Sequence, residues 1–165
     1  MPDQAFEPAV VNTGPILALS LLGVIDLLRK FYQPVYIASA VEQEIRYGGQ
    51  GAPGYKEVTE SDWLAKCHLE NPLPPLLSME LDPGEAETIA LALEKRVGRV
   101  LIDESIGRQM ATYLGLRPTG SVGILLRAKK REYIPEVRPL LDNLMKRGFW
   151  LKQDLYEWVV AEANE

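Results

Sequence analysis

The chain has 165 residues, of which 47% are hydrophobic and 25% charged, a composition typical of a globular protein with one sizeable core. The net charge of -5 excludes a global positive field of the kind that attracts nucleic acid, and a single cysteine excludes an internal disulfide framework. We therefore expect a single domain over residues 1–165 in a reducing, cytoplasmic compartment.

No membrane association is expected from the sequence. The apolar run at residues 16–25 is shorter than the ~20 residues needed to cross a bilayer, and no signal-peptide pattern is present. This run is expected to form a buried helix.

The first half of the chain alternates strand and helix patterns. A short apolar strand at residues 9–11 precedes a helix with Pro15 in its first turn. A second buried strand is predicted at residues 35–38, followed by a helix at 40–47 that Ser39 can cap. The segments that come next are predicted as a glycine-rich loop (48–54), an extended segment (63–70) and an irregular stretch (71–78).

The stretch "LDPGEAETIALALEKR" carries the clearest helix pattern in the chain. Asp82 is a good N-cap, Pro83 suits the first helical position, and Glu85 lies three residues after the cap, as in a capping box. An apolar stripe follows at helical spacing, formed by Ala86, Ile89, Ala90, Leu93 and Val97.

The second half continues the alternation. The apolar run "RVLI" predicts a strand that ends before Asp103 and Glu104, with a helix from there to Leu114. The remaining predictions are a link at "LRPTGS", helices at 122–130, from Pro135 to Met145 and at 155–163, and an edge strand at "GFWLK".

This alternation predicts an α/β fold, with a parallel sheet between two layers of helices. Because the carboxyl ends of parallel strands share one edge, Asn12 and the pair Asp103-Glu104 should meet there. Oxygen ligands are those that Mg²⁺ prefers, and a metal so held can activate water for phosphodiester hydrolysis. The candidate ligands are Asn12, Glu42 or Glu44, Glu85 or Glu87, and Asp103 or Glu104.

Each candidate also has a structural explanation. Asn12 can cap the helix after it, the glutamates at 42 and 44 can be exposed on an amphipathic helix, and Glu85 fits the capping box without any metal. Asp103 or Glu104 can complement a helix dipole. Glu85 and Glu87 lie about 200° apart around a helix, so they are not expected to share one ligand set.

Other chemistries find less support in the sequence. The single histidine, His68, lies next to Cys67 in the least regular part of the chain, and no Ser-His-Asp or Cys-His arrangement follows from that. The loop "GGQGAPG" lacks the lysine and the serine or threonine of a P-loop.

Charge is unevenly distributed along the chain. Residues 127–152 hold eight basic and three acidic side chains, so this segment carries +5 and the remainder -10. Such a segment can contact phosphates or an acidic partner, with Lys129 and Arg131 as possible outer contacts, or it can be the solvated side of surface helices.

Six stretches together resemble the DUF3368 branch of the PIN-domain superfamily, in order and from about residue 9 to the end. They are "VVNTGPILALS", "VYIASAVEQEI", "LDPGEAETIALALE", "VLIDESIGRQMATYLGL", "TGSVGILLRAKKREYIPEVRPLLDNL" and "GFWL". The resemblance implies a three-layer α/β/α fold and a Mg²⁺- or Mn²⁺-dependent ribonuclease, often the toxin of a toxin–antitoxin pair. RNA as substrate, an antitoxin protein as partner and a homodimer are implied with it.

Carried over by position, the family's acids fall on Asn12, Glu44, Glu85 and either Asp103 or Glu104. The family has aspartate where this chain has Asn12, and an amide oxygen brings no charge to a metal. A catalytically degenerate module that binds RNA or a protein therefore stays open, as does nucleotide binding by the turn at residues 12–14. Phe149, Trp150 and Trp158 can serve a subunit interface or complete the core.

Overall fold

The computed structural model describes residues 6–165 and has a five-stranded parallel sheet at its centre. The strands are β1 (Glu7–Val11), β2 (Tyr32–Ala38), β3 (Leu64–Cys67), β4 (Arg99–Leu101) and β5 (Arg117–Thr119), in the order β3-β2-β1-β4-β5. The helices are α1 (Thr13–Leu21), α2 (Leu27–Phe31), α3 (Ser39–Tyr47), α4 (Tyr55–Glu60), α5 (Pro75–Glu80), α6 (Pro83–Lys95), α7 (Ser105–Tyr113), α8 (Ser121–Lys130), α9 (Arg138–Lys146) and α10 (Gln153–Glu162).

Helices cover both faces of this sheet, which gives the expected three-layer α/β/α fold. Successive side chains of a strand point to opposite faces, and in β1 the side chains of Ala9 and Val11 enter one core while Val10 enters the other. The first core receives apolar residues from α1, α2, α3, α4, α8, α9 and α10, and the second from α5, α6 and α7. Burial on both faces explains why residues 9–11 of β1 are all apolar rather than alternating with polar residues.

The two edges of the sheet differ in chemistry. At the amino ends of the strands, Glu7 accepts hydrogen bonds from Arg99 at 3.0 Å and Arg117 at 2.7 Å, which ties the starts of β1, β4 and β5 together. Helix α8 ends at this amino edge, where the Arg127 guanidinium lies 5.5 Å from the centre of the Tyr32 ring. Each helix that follows a strand therefore begins at the opposite, carboxyl edge.

Helices α9 and α10 form an antiparallel hairpin. The Glu165 carboxylate accepts hydrogen bonds from the backbone N–H groups of Val137 at 2.6 Å and Arg138 at 2.8 Å, so the end of α10 meets the start of α9. Nearer the turn, the Tyr156 hydroxyl donates to Asp142 Oδ1 at 2.7 Å. The hairpin turn consequently lies at the other end of the pair.

Two sequence predictions in this region are wrong. The "GFWLK" segment is the hairpin turn and not an edge strand, because Gly148 takes a left-handed conformation with φ of 91° and Phe149 N donates back to Leu144 O. The helix predicted from Pro135 begins at Arg138, where the Glu165 carboxylate satisfies its first N–H groups.

Three short elements were not predicted. The "LRPTGS" link contains β5, an edge strand in which Pro118 is tolerated because one side of the strand has no ladder partner. Helices α4 and α5 are six residues each and too short to show a clear period in the sequence. Of the three aromatics near the C-terminus, Phe149 packs on the first core, while Trp150 is 80% and Trp158 55% exposed.

Over residues 6–165, none of the helices combines the length and the apolar character that a membrane span requires.

Candidate active site

The candidate residues lie at the carboxyl edge of the sheet, directly after the ends of the strands. Asn12 follows β1, Ser39 follows β2, His68 follows β3 and Asp103 follows β4. The ladder pairs Val11 with Leu101, so Asn12 and the residues after β4 lie side by side.

Asn12 is buried and unusually placed for a polar side chain. It occupies the N-cap position of α1, but its side chain makes no capping hydrogen bond, so the capping explanation fails. Its Nδ2 donates to Glu104 Oε2 at 3.4 Å, whereas its Oδ1 is buried without a hydrogen-bond partner. A buried carbonyl oxygen without a partner lowers the stability of the fold by roughly 1–3 kcal/mol. Such an oxygen is suited to bind a cation.

The adjacent acids Asp103 and Glu104 face different partners. Both Asp103 oxygens accept hydrogen bonds from Ser121, from its N–H at 2.6 Å and its hydroxyl at 2.7 Å, which fixes the start of α8. Glu104 instead faces Asn12. Burial raises the pKa of the Glu104 carboxyl, and the negative charges of Asp103 and Asp82 raise it further.

Glu85 performs two tasks at once. It completes the capping box of α6 with Asp82, since Glu85 N donates to Asp82 Oδ1 at 2.8 Å and Asp82 N to Glu85 Oε2 at 3.3 Å. The side chain is also buried toward the site. Burial and the charge of Asp82, with a contribution from Glu104, raise the pKa of Glu85 to about 7. The capping box therefore does not exclude a functional role for Glu85.

Glu44 completes the group from α3. Its carboxylate accepts a hydrogen bond from the Thr13 hydroxyl at the start of α1 and lies directly over Gly84 in α6. A methyl group at Gly84 would come within 2.6 Å of Glu44 Oε1, and one at Gly107 would come within 2.9 Å of Glu85 Oε1. Both glycines leave the space that these carboxylates fill.

The alternative glutamates are engaged elsewhere. Glu42 pairs with Arg46 at 2.9 Å on the surface of α3. Glu87 Oε2 accepts from Ala40 N at 2.8 Å and so caps α3, a task that the sequence assigned to Ser39. Glu85 and Glu87 thus serve different places, as their spacing predicted.

One arginine lies among these acids. Arg108 Nη1 donates to Ile102 O at 3.1 Å, and a methyl group at Gly120 would lie 3.0 Å from Arg108 Nη1 and 2.9 Å from Asp103 Oδ1. Over residues 6–165, the six ion pairs involve other side chains, so this guanidinium keeps donors for an anion.

The donor set fits a hard divalent cation in its chemistry, but it is not closed around a point. Carboxylate and amide oxygens lie together at this edge, one of them unpaired and two carboxyls with raised pKa values. In the described part of the chain, no three Asp, Glu, His or Cys side chains converge closely enough to enclose an ion. These side chains would have to move before they could enclose an ion.

The sequence analysis missed one contact at this edge. The Ser39 hydroxyl lies within hydrogen-bond distance of His68 Nδ1 and 3.3 Å from Cys67 O. The ladder pairs Ala38 with Cys67, so the residues after β2 and β3 are neighbours, although they are 29 positions apart in sequence. No carboxylate among residues 6–165 hydrogen-bonds to His68, so no Ser-His-Asp triad is formed.

Lys129 and Arg131 lie away from this site. They are at the end of α8, at the amino edge, and Lys129 is occupied by Pro135 O at 2.6 Å and Glu165 at 3.6 Å.

A family model described as PIN domain, DUF3368, matches residues 8–165 and so covers all five candidate side chains. No curated protein and no solved structure matches the chain.

Proposed function

Because this match over nearly the whole chain shows that the protein belongs to the PIN-domain family, whose members are nuclease-like modules, we propose that it is a Mg²⁺- or Mn²⁺-dependent ribonuclease. The observation that carries the proposal is the buried, unpaired Oδ1 of Asn12 beside carboxyls whose pKa values are raised. Like charges gathered around an unpaired oxygen favour a cation among them.

The residues divide into two groups in this proposal. Asn12 Oδ1, Glu85 and Glu104 would hold the ion directly, and Glu44 and Asp103 would contribute charge from positions fixed by Thr13 and Ser121. When bound, the ion supplies Lewis-acid activation of water and neutralises charge on a phosphodiester. Glu85, whose pKa is raised to about 7, would bind the ion in its deprotonated form.

Arg108 provides the substrate contact in the same proposal. Its Nη1 donates to Ile102 O at 3.1 Å, and over residues 6–165 the guanidinium takes part in none of the six ion pairs. A guanidinium in this place can bind a phosphate with two parallel hydrogen bonds. It offsets the negative charge of the site for an anionic substrate.

Cleavage of a mixed single-stranded RNA by purified protein tests the proposal. We expect products with Mn²⁺, none with EDTA, and about ten- to a hundredfold less with Glu104→Gln or Asp103→Asn. Glu42→Gln is the matched control, since it neutralises a glutamate on α3 that pairs with Arg46 on the surface, and it should cleave normally. Activity that survives in both Asp103→Asn and Glu104→Gln would refute the proposal.

The second candidate is a degenerate module that binds RNA or a protein without cleaving RNA. The observation that favours it is the neutral Asn12 at the centre of the site. It predicts no Mn²⁺ binding at millimolar concentration and no products with any ion.

A toxin role is a further part of the proposal, and its support is the family. Induced expression should arrest growth, and Glu104→Gln should relieve the arrest. A small antitoxin encoded beside this gene should relieve it for the unaltered protein as well. Growth arrest that persists with Glu104→Gln would contradict a nuclease toxin.

A further inference from the structure

The hairpin turn between α9 and α10, defined as residues 146–152, combines an exposed aromatic ring with positive charge. Trp150 is 80% exposed, the most of the three tryptophans, while Phe149 and Leu151 on either side of it pack on the core. The core contacts of its neighbours fix the backbone and leave this indole at the surface.

Three basic residues lie close to Trp150 in the sequence. Lys146, Arg147 and Lys152 lie within four positions of Trp150, and the turn contains no acid. Over residues 6–165, none of them forms an ion pair, and the Arg147 side chain makes one hydrogen bond, from Nε to Asn143 Oδ1 at 2.9 Å.

The other lysines of the basic segment contrast with these. Lys129 and Lys130 on α8 pair with Glu165 at 3.6 Å and Glu162 at 3.0 Å. The hairpin turn itself holds three of the eight basic residues of segment 127–152 and none of its three acids.

The turn lies at the carboxyl edge of the molecule. Lys130 and Glu162 join the ends of α8 and α10 at the amino edge, and both helices are ten residues long. Because they pack on each other, α10 begins at the end where α8 begins, which is the end that Asp103 caps. The turn before α10 is thus on the same side of the protein as the candidate active site.

We propose that the hairpin turn binds single-stranded RNA, with a base stacked on Trp150 and neighbouring phosphates on Lys146, Arg147 and Lys152. Surfaces for single strands combine an aromatic platform with cations along the backbone, whereas an acidic body repels RNA elsewhere. That this RNA strand is the substrate rests on the proposed function. The hairpin turn would then guide the strand toward the acids of the candidate active site.

Binding is measured apart from cleavage, in EDTA, by fluorescence anisotropy of a labelled twelve-nucleotide oligouridine at low salt. Trp150→Ala should weaken binding at least about fivefold, because it removes the ring on which one base stacks. Lys146→Gln with Lys152→Gln should weaken binding and also make it less dependent on salt. The slope of log affinity against log salt concentration should fall by ~0.7 for each phosphate that the variant no longer binds.

Trp158→Ala is the matched control. Trp158 is 55% exposed on the same hairpin, but the side chains four positions before and after it on α10 are the acids Asp154 and Glu162. This variant should bind RNA as the unaltered protein does. Thermal unfolding of each variant confirms that exposed substitutions leave the fold intact.

The results separate this inference from the proposed function. Binding in EDTA that depends on Trp150 supports the inference even if no RNA is cleaved. Equal binding by Trp150→Ala and Trp158→Ala overturns it even if cleavage occurs. A change of oligomeric state in Trp150→Ala with unchanged RNA binding also overturns it and assigns the ring to a protein interface.

Discussion

Asn12 contributes a neutral amide to a site whose other candidate side chains carry carboxyl groups. This missing charge determines the affinity for a metal ion that we expect of the site. We predict that Asn12→Asp tightens Mn²⁺ binding by roughly tenfold or more, about 1.4 kcal/mol, since each added carboxylate raises affinity for a hard cation. Isothermal titration calorimetry at pH 7.5 measures the change.

Asn12→Asp should also destabilise the metal-free protein, because it places a third carboxyl group beside Glu85 and Glu104. Asn12→Ala is the control for loss of the amide and should weaken Mn²⁺ binding. Unchanged affinity in both variants would mean that residue 12 is not a ligand.

Glu85 makes the stability of the metal-free protein depend on pH. Its pKa is about 7 in the folded chain against 4.5 ordinarily, so the unfolded chain ionises first and stability falls as pH rises from about 4.5 to 7. The loss amounts to at most about 3 kcal/mol. Glu85→Gln does not ionise, so its stability relative to the unaltered protein should rise over this range.

Urea unfolding in EDTA at several pH values tests this prediction. Glu87→Gln is the control, since Glu87 lies on the same helix but caps α3 rather than facing the site. Parallel pH profiles for Glu85→Gln and the unaltered protein would contradict the assignment.

The sequence predicted which side chains gather at the edge but not what each contacts. The capping pattern identified Asp82 and Glu85 because its spacing is local. The bond of Asp103 to Ser121 spans 18 residues and that of Ser39 to His68 spans 29, and such pairs follow from strand register, which no local pattern reveals. The unpaired Oδ1 of Asn12 is likewise a property of packing.

At the scale of elements, the start of α9 depends on a side chain from beyond α10. Burial alone would raise the pKa of the Glu165 carboxyl, but the N–H groups of Val137 and Arg138 and the charge of Lys129 hold it below its ordinary value. Its contribution to stability is therefore present above about pH 4.5 and is lost as pH falls. Glu165→Gln should destabilise the protein by about 1–2 kcal/mol at pH 7.

Chemical unfolding at pH 7 and pH 4 measures this effect, which should shrink at the lower pH. Glu162→Gln is the matched control, because its pair with Lys130 is exposed and contributes at most about 1 kcal/mol. Equal effects of the two substitutions would show that the cap is not specific.

Local pattern explains which elements could be predicted. Strands β1, β2 and β4 and helix α6 follow from apolar runs and end signals within the element itself. Two features depend instead on residues outside the element itself. Strand β5 forms by pairing with β4, and the start of α9 is set by the hydrogen bonds that Glu165 accepts. The "GFWLK" segment has the apolar pattern of a strand because Phe149 and Leu151 pack on the core from within a turn.

For the whole molecule, the homodimer stays a prediction, and light scattering tests it. We expect a mass twice that of the chain at micromolar concentration. Because Trp150 is proposed to bind RNA, Trp150→Ala should leave this mass unchanged. A monomer at all concentrations would contradict the prediction.

The close approach of carboxylates to Gly84 and Gly107 has a genetic consequence. A methyl group at either position would displace Glu44 or Glu85 without changing any charge. In a selection for inactive variants, alanine at these two glycines should therefore be recovered beside changes of the acids themselves. Mutations that inactivate the site therefore include changes at Gly84 and Gly107, which mutagenesis of polar residues alone would not reveal.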